Sequence, residues 1–457
     1  MHDDGDDDGD DDMPRDLAAA WAKIADHIAF VLLATPWSAG DLYQAVSALV
    51  GANRRASTKR LIDELLANSY RYPPNPAALA AAVQACPSFE AAMRDLIAAP
   101  WLLKQPLAPP LFAPSARFAN LDIPQLPTSA ALAHWLGITP AHLGWYAGTR
   151  RPHDPTMIPI LQHYTYMFIP KKRGPPRLIE SPKPRLKTMQ RRILDHILAA
   201  VPNHPSAHGF VRGRSALSGA QVHAGEAMVI AADLADFFPS TPLRRVHGLF
   251  RSLGYPSAVA RALTGLCSAA TPEAVFLRRA SSEGHSVTAR KIFAARHLPQ
   301  GAPTSPALAN LCAWPLDQRL AGLALSLGAN YTRYADDLSF SGDAVFAQRA
   351  DGVLTLVARI AEEEGYGLNP AKTRQMPAHQ RQTVTGIVVN AHNNIAREHF
   401  DALKAILHNC LRHGPASQNR AAAADFRAHL DGRIGWVEQV NPRRGARLRQ
   451  MFERLGW

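Results

Sequence analysis

The chain has 457 residues, 47% of them hydrophobic, and no apolar run approaches the roughly 18 to 20 residues that span a bilayer, which predicts no membrane segment. The formal charge of +12 becomes +20 without the eight aspartates among the first twelve residues, and this excess indicates a polyanionic partner such as a phosphate backbone. Because the acidic start is the reverse of a signal or transit peptide, we predict a cytoplasmic protein.

Composition and hydrophobic spacing divide the chain into five segments. Residues 1–12 predict a disordered acidic tail, and residues 13–105, with Leu, Ile and Val at helical spacing, predict a small all-helical N-terminal domain. The prolines that crowd residues 106–128 predict an extended linker. Short apolar strands alternate with helices over residues 129–390, which favours an α+β domain with antiparallel hairpins. Residues 391–457 return to helical spacing and predict a terminal helical unit.

Two acidic segments carry the candidate chemistry. An apolar run over residues 228–232 ends in Asp233, and the hairpin-like segment 331–340 places Asp336 and Asp337 between aromatic residues. Adjacent aspartates repel each other without a cation between them, and a carboxylate behind an apolar run is costly to bury unless it is paired. An Asp-Asp pair alone is as well explained by a plain surface position. Together, the two segments indicate carboxylates that meet at metal ions for phosphoryl transfer.

The two segments resemble motifs A and C of reverse transcriptases, with residues 334–337 (YADD) as that family's form of motif C. Residues 298–310 (LPQGAPTSPALAN) are similar to motif B, whose Gly and Pro turn lets the main chain approach the incoming nucleotide. The resemblance implies a right-hand polymerase fold, with fingers and palm in residues 129–390 and a helical thumb in residues 391–457. It also implies RNA-directed DNA synthesis with two Mg²⁺ ions, or Mn²⁺, at the carboxylates.

The resemblance assigns expected roles to individual residues. The implied catalytic residues are Asp233, Asp336, Asp337 and Lys372, and the implied metal site consists of Asp233, Leu234, Asp336 and Asp337. Lys372 lies in what resembles motif D, whose lysine acts as a general acid toward pyrophosphate. The implied dNTP contacts are Lys171, Arg177, Asp236, Phe237, Phe238 and Gln300, with Phe238 as an aromatic gate against a ribose 2′-hydroxyl.

Contacts to RNA are expected at a further set of residues. They are His223, Val384, Thr385, Gly386, Arg433, Arg443, Arg444 and Arg447. The C-terminal arginines suit RNA that is read through its shape and phosphates. The alternatives are a solvated basic helix for the arginines and a structural role for His223, because a lone His before a strand is more often a structural residue.

Three strings resemble the bacterial retron reverse transcriptases in particular, namely residues 236–240 (DFFPS), 300–306 (QGAPTSP) and 384–386 (VTG). That group also carries Asn-Ala-x-x-His before motif A. Here residues 219–223 read GAQVH, so Gly219 replaces the asparagine. The resemblance covers residues 129–457 and leaves the N-terminal helices outside it.

A retron enzyme of this kind copies part of its own structured non-coding RNA. The resemblance therefore implies dNTP substrates, priming from an RNA 2′-hydroxyl, a branched RNA–DNA product called msDNA, and an effector protein partner in antiphage defence. Two alternatives stay open. One is a defence-associated reverse transcriptase with another or untemplated DNA product, and the other is a non-catalytic RNA-binding scaffold, which the intact aspartates disfavour. Residues 13–105 are either a packing appendage or a docking surface for the effector.

Overall fold

The computed structural model describes residues 15–35, 37–50, 55–67, 76–96, 111–148, 163–171, 175–277 and 287–457. The predicted acidic tail, residues 1–12, and the first residues of the predicted linker, 106–110, lie outside these ranges. The chain forms two compact units, one from residues 1–201 and 243–304 and the other from residues 202–242 and 305–457. Helices and antiparallel sheets occur together, which confirms the α+β class.

The helices, in chain order, are α1 (Arg15–Ala34), α2 (Ala39–Val50), α3 (Arg55–Ala67), α4 (Pro76–Gln84), α5 (Pro87–Leu96), α6 (Ser129–Leu136), α7 (Pro140–Ala147), α8 (Pro184–His196), α9 (Ala216–Ala220), α10 (Phe237–Ser240), α11 (Leu243–Ser252), α12 (Ser257–Leu266), α13 (Glu273–Leu277), α14 (Val287–Ala294), α15 (Ser305–Cys312), α16 (Trp314–Ser326), α17 (Ala344–Gln348), α18 (Ala350–Glu363), α19 (Arg397–His413), α20 (Phe426–Val440) and α21 (Pro442–Glu453). The strands are β1 (Tyr164–Ile169), β2 (Arg177–Pro182), β3 (Met228–Ala235), β4 (Asn330–Tyr334), β5 (Asp337–Gly342), β6 (Gly367–Leu368), β7 (Arg374–Pro377), β8 (Thr383–Val384) and β9 (Ile387–Val388). Within the described ranges, no helix is long and apolar enough to cross a membrane.

The first unit begins with the helices α1 to α5, which lie in the segment with helical spacing. Their apolar faces meet in one buried cluster that includes Ile28, Leu32, Leu61 and Leu65. Residues three or four apart share one face of a helix, so this spacing buries a continuous stripe. Ala130 of α6 belongs to the same cluster. The proposed boundaries of an N-terminal domain stay a prediction.

The first unit also contains an antiparallel hairpin of β1 and β2, in which Tyr164 pairs with Pro182 and Ile169 with Arg177. The turn of motif B packs against this hairpin, because the Glu180 N–H donates a hydrogen bond of 2.8 Å to the carbonyl of Gln300. Strand β2 thereby fixes the main chain of Gln300, which the resemblance implies as a dNTP contact.

The second unit is built on a sheet in the order β4-β5-β3-β6, with β7 also paired to β3. Strand β3 pairs antiparallel with each of its partners and is buried at most positions. A strand covered on both faces needs apolar side chains throughout, which explains the run at residues 228–232.

Helices α19, α20 and α21 close the chain in the second unit. Leu403, Leu407, Ile434 and Leu448 from these helices share a buried cluster with Val384 of the short β8–β9 hairpin. The helices follow the spacing predicted for residues 391–457, and their assignment as a thumb stays a prediction.

Candidate active site

The pairing of β3 with β5 brings two of the predicted aspartates together. Asp233, near the end of β3, lies directly opposite Asp337, the first residue of β5. The Leu234 N–H donates a hydrogen bond of 2.9 Å to the carbonyl of Asp336, which ties the turn before β5 to strand β3. Three acidic residues from two separate motifs therefore share one end of the sheet.

The carboxylates influence each other's ionisation. The pKa of Asp337 is raised to about 6, mainly because the surrounding protein removes water from its carboxyl group. The negative charges of Asp336 and Asp233 add to the shift. Nearby like charges disfavour the ionised form of a carboxyl group, and a bound cation reverses that effect. Oxygen ligands of this kind are those that Mg²⁺ prefers. The residues present thus fit a divalent cation in kind.

Lys372 is bonded to this acidic group. Its Nζ lies 2.7 Å from Asp233 Oδ2, and the Asn369 N–H, just before the turn that carries Lys372, donates a bond of 2.7 Å to the Asp233 carbonyl. Partial burial disfavours the ammonium, but the hydrogen bond and charge of Asp233 prevail and raise the pKa of Lys372. Among the described residues, no three His, Cys, Asp or Glu side chains are already arranged to hold one metal ion.

A buried arginine, which the sequence analysis missed, supports the turn between β4 and β5. Arg333 is 0% exposed, and its Nε and Nη2 each donate a bond of 2.7 Å to the carboxylate of Asp317 in α16. Its Nη1 donates to Asn310 Oδ1 at 2.8 Å and to the Ala335 carbonyl at 3.0 Å. Ala335 has a left-handed backbone, with φ of 57°, and directly precedes Asp336. The available signal was the only charged residue in a short strand that reads NYTRY.

The dNTP-binding residues predicted from motif A lie beside the acidic group in the second unit. Asp236 is exposed and has a φ of 47°, which turns the chain at the end of β3 into α10. Phe237 is buried, and the guanidinium of Arg333 lies 5.4 Å from its ring centroid. Phe238 is half-buried, with its ring centroid 5.8 Å from that of Phe237.

The other predicted dNTP residues lie in the first unit. Lys171 and Arg177 are both exposed. Lys171 follows strand β1 and Arg177 begins strand β2, so the two residues flank the same hairpin turn. Gln300 is half-buried in the motif B turn, next to Gly301, whose φ is 137°. A Cβ on Gly301 would lie 2.8 Å from the Glu180 carbonyl oxygen, so this close approach requires glycine.

A buried polar cluster, which the sequence did not indicate, lies beneath the motif B turn. The carboxylate of Glu180 accepts hydrogen bonds of 2.7 Å from Thr271 Oγ1 and His297 Nε2. Burial disfavours the imidazolium, but the hydrogen bond and charge of Glu180 prevail and raise the pKa of His297. Since the Glu180 N–H also holds the Gln300 carbonyl, the cluster fixes the hairpin and the turn together.

Two of the expected RNA-binding side chains are buried. His223 is 0% exposed, with Nδ1 2.8 Å from Ser341 Oγ and Nε2 2.7 Å from Thr332 Oγ1, and Val384 is 2% exposed. Neither side chain has exposed surface with which to contact RNA. The geometry supports the structural role that the sequence left as the alternative for His223, because a buried polar ring is stable only when it is hydrogen-bonded.

The turn after Val384 is different. Thr385 has a φ of 48° and is half-buried, and Gly386 has a φ of 84° and is exposed. A β-branched residue with positive φ is strained, and such strain concentrates at functional turns. Both residues, with Asp337, line a cavity of about 360 Å³. This part of the RNA prediction therefore lies beside the acidic group.

The C-terminal arginines are not equivalent. Arg443 and Arg447 are exposed on α21. Arg444 instead lies 5.0 Å above the ring of Phe400 and donates a hydrogen bond of 3.4 Å to a backbone carbonyl. Arg433 of α20 is half-buried at a cavity of about 370 Å³. Only some members of the predicted basic cluster therefore present their charge to solvent.

The chain is similar to known proteins over most of its length. Residues 169–389 match the family described as reverse transcriptase (RNA-dependent DNA polymerase), the class that motifs A, B and C indicate. The chain is 40% identical over 338 residues to the retron Mx65 reverse transcriptase of Myxococcus xanthus, covering 74% of each chain. It is 37% identical over 344 residues to the retron Mx162 reverse transcriptase of the same organism, covering 72% of this chain and 67% of that one.

A third relative is the retron Ec86 reverse transcriptase of Escherichia coli, 32% identical over 247 residues, or 53% of this chain and 69% of that one. This chain belongs to the retron reverse transcriptases and is an RNA-directed DNA polymerase. The predicted family and activity are confirmed. The non-catalytic scaffold is accordingly set aside.

Proposed function

We propose that this enzyme copies a structured non-coding RNA into msDNA at the acidic group formed by Asp233, Asp336 and Asp337, starting from a 2′-hydroxyl of that RNA. The observation that supports this most directly is the pairing of Asp233 with Asp337 across β3 and β5, with Asp336 tied to Leu234. This arrangement collects negative charge at the end of a buried strand. Such charge is stable in a folded protein when cations balance it.

The residues of the centre have two proposed tasks, metal binding and proton supply. Asp233, Asp336 and Asp337, with the main chain of Leu234, would hold two Mg²⁺ ions, or Mn²⁺, and the bound ions would supply charge neutralisation for phosphoryl transfer. Lys372 is protonated at neutral pH, as an ordinary lysine is, and its raised pKa keeps it so; we propose that Nζ supplies a proton to the departing pyrophosphate. Asp233 orients that ammonium through their 2.7 Å contact.

Six residues are the proposed contacts to the dNTP. Lys171 and Arg177 carry positive charge at the β1–β2 turn and bind the phosphates of the dNTP. Gln300 contacts the dNTP from the motif B turn, whose main chain is held by a hydrogen bond from Glu180. Asp236 and Phe237 shape the end of β3, and the half-buried ring of Phe238 excludes a ribose 2′-hydroxyl by its size. We assign residues 129–390 to fingers and palm and residues 391–457 to the thumb.

RNA binding is assigned to residues of the second unit that keep some exposed surface. Arg443 and Arg447 offer charge to phosphates, Arg433 offers charge at its cavity, and the turn of Thr385 and Gly386 lies near the acidic group. An effector protein in antiphage defence is the proposed partner, and residues 13–105 are either its docking surface or a packing appendage.

The experiment that tests this function compares the wild-type enzyme with Asp233→Asn and Asp336→Asn. Each variant loses one ligand but little volume, so dNTP incorporation on a primed RNA template should vanish while folding and RNA affinity persist. Val345→Ala, which changes an exposed residue outside the site, is the control. Substantial incorporation by either aspartate variant would remove that residue from the centre.

The product requires its own experiment. The enzyme is purified from its native operon, and the nucleic acid that accompanies it is sequenced and treated with a debranching enzyme specific for 2′,5′ linkages. A short DNA joined to RNA through that linkage is the expected result. Unbranched DNA would instead favour a defence-associated enzyme that makes another product.

A further inference from the structure

Phe210 is an exposed aromatic residue with an unusual backbone. Its side chain is 52% exposed and its φ is 59°. Isolated exposed hydrophobic residues are common, but a bulky residue with positive φ is a conformational outlier. Such strain persists only where the surroundings impose it, and it concentrates at functional sites. Both features at one position call for an explanation beyond the packing of the core.

The segment before Phe210 is fixed to the strand that leads into motif C. The His208 N–H donates a hydrogen bond of 2.7 Å to the Arg333 carbonyl, and Asn310 Nδ2 donates one of 2.7 Å to the Gly209 carbonyl. A Cβ on Gly209 would lie 2.5 Å from the Ala335 nitrogen, so the two main chains are in direct contact. The position of Phe210 is therefore set by the same buried network that supports the catalytic turn.

The ring of Phe210 faces two residues of the proposed active site. Its centroid lies 6.0 Å from that of Phe238, the proposed sugar gate, and 6.5 Å from that of Tyr334 in the YADD segment. The rings of Phe210 and Phe238 are inclined by 39°, and those of Phe210 and Tyr334 by 36°. Phe238 and Tyr334 are themselves only half-buried. The three rings form an aromatic surface that opens to solvent next to Asp336.

We infer that Phe210 is a substrate-contacting residue whose ring packs against the sugar and base of a nucleotide at the site of synthesis. A π face in contact with a base stabilises binding without reading its sequence, which suits an enzyme that copies every base. The ring of Phe210 lies beside that of Phe238 and extends the aromatic surface beyond the residues of motif A. This inference rests on the proposed assignment of Asp233, Asp336 and Asp337 as the catalytic centre.

The nucleotide that Phe210 contacts is either the incoming dNTP or the last nucleotide pair of the primer and template. Both present the same chemistry of a sugar and a base, and kinetics separates them. Contact with the dNTP affects the KM for dNTP in steady-state incorporation. Contact with the primer end affects the Kd for a primed RNA template, which is measured without dNTP and without catalysis.

The test uses the full chain with Phe210→Ala, Phe210→Gly and Phe210→Tyr. Glycine removes the ring and tolerates the positive φ, so that variant keeps the backbone even where alanine is strained. Tyrosine keeps the π face. Leu325→Ala, which changes a residue that is 82% exposed in the last turn of α16, is the matched control for the removal of an exposed apolar side chain.

We expect the alanine and glycine variants to raise one of the two constants, KM for dNTP or Kd for the primed template, by about tenfold, the scale of removing one aromatic ring from beneath a base. Phe210→Tyr should restore the wild-type value, and thermal unfolding of Phe210→Gly should occur at or above the wild-type temperature because strain is relieved. A residue needed only for packing would give the opposite pattern, with lowered stability and unchanged constants.

Wild-type values of both constants in Phe210→Gly would overturn the inference. Failure of the proposed centre is recognised separately, because it appears as DNA synthesis that survives Asp336→Asn. The Kd arm needs no catalysis and therefore reports on Phe210 in either case. Equal changes in Leu325→Ala would likewise count against a specific role.

Discussion

Arg333 and Asp317 form a bidentate ion pair in which both side chains are completely buried, with two N–O distances of 2.7 Å. The arginine precedes the YADD segment, and the aspartate lies in α16. The remaining guanidinium nitrogen holds the carbonyl of Ala335, so the ion pair connects a helix to the turn that carries Asp336. The planar fork of arginine makes these contacts simultaneously, and a lysine ammonium cannot.

We predict that Arg333→Lys lowers the free energy of unfolding by about 1 to 3 kcal/mol, the typical cost of leaving a buried acceptor without its hydrogen-bond donor. Lysine leaves part of the Asp317 carboxylate without its donor. Urea unfolding, followed by circular dichroism, measures the change. Arg319→Lys is the control, since Arg319 pairs with Glu363 and Glu364 near the surface and should matter less. Equal stability of Arg333→Lys and wild type would contradict the role of the fork.

We predict that Phe238→Ala admits ribonucleotides, because the half-buried ring beside Phe237 is the bulk that excludes a 2′-hydroxyl. The ratio of dNTP to rNTP incorporation in single-turnover assays should fall by at least roughly tenfold, a size that pocket shape commonly supplies. Phe238→Tyr keeps the size of the ring and should keep the ratio. An unchanged ratio in Phe238→Ala would make this residue part of the core only.

We predict an acid-sensitive contribution to stability from His223. Burial, and after it the proximity of His208, lowers the pKa of His223 to about 4. The folded state therefore favours the neutral ring, whereas the unfolded chain takes up a proton near pH 6.5. The contribution of the neutral His223 ring to the free energy of unfolding is fully present above pH 6.5. It is lost as the pH falls toward 4, and the loss amounts to at most roughly 3 kcal/mol.

His223→Gln cannot take up this proton, so its stability should depend less steeply on pH between 4 and 6.5 than that of the wild type. The comparison concerns the slope and not the absolute stability, since glutamine also changes the bonds to Ser341 and Thr332. His379→Gln, at an exposed position, is the control. Parallel curves for wild type and His223→Gln would exclude the contribution.

We predict that Arg443→Ala combined with Arg447→Ala weakens RNA binding and flattens its salt dependence by about one unit of slope for each phosphate that the variant no longer neutralises. Both residues are exposed on α21. Titrations at several salt concentrations, with the co-purifying RNA, measure the effect. Stability should be unchanged, because neither side chain lies in the buried cluster of α19 to α21.

Arg449→Ala is the informative comparison for that experiment. Arg449 is engaged with Asp431 and Glu438, so its removal should affect the packing of α20 against α21 more than RNA affinity. If the double variant keeps the wild-type affinity and slope, the charge of α21 serves solubility. The N-terminal helices then become the leading candidate for RNA recognition.

The sequence by itself determined the family, the order of the motifs and the positions of the three aspartates. These features are local: an apolar run that ends in Asp233 and an adjacent pair between aromatic residues are visible in short windows. It also predicted the α+β class, because helical and alternating spacing follow from the geometry of single elements. Site roles drawn from the resemblance remain proposals.

Only the tertiary structure decided which residues face the core and which meet across the sheet. His223 is buried between hydroxyl groups from β4 and β5, more than 100 positions along the chain, and no local pattern indicates that. Arg443 and Arg444 are neighbours in sequence, yet one is exposed and the other packs on Phe400. A helix turns successive side chains to different faces, so their roles depend on what packs against each face.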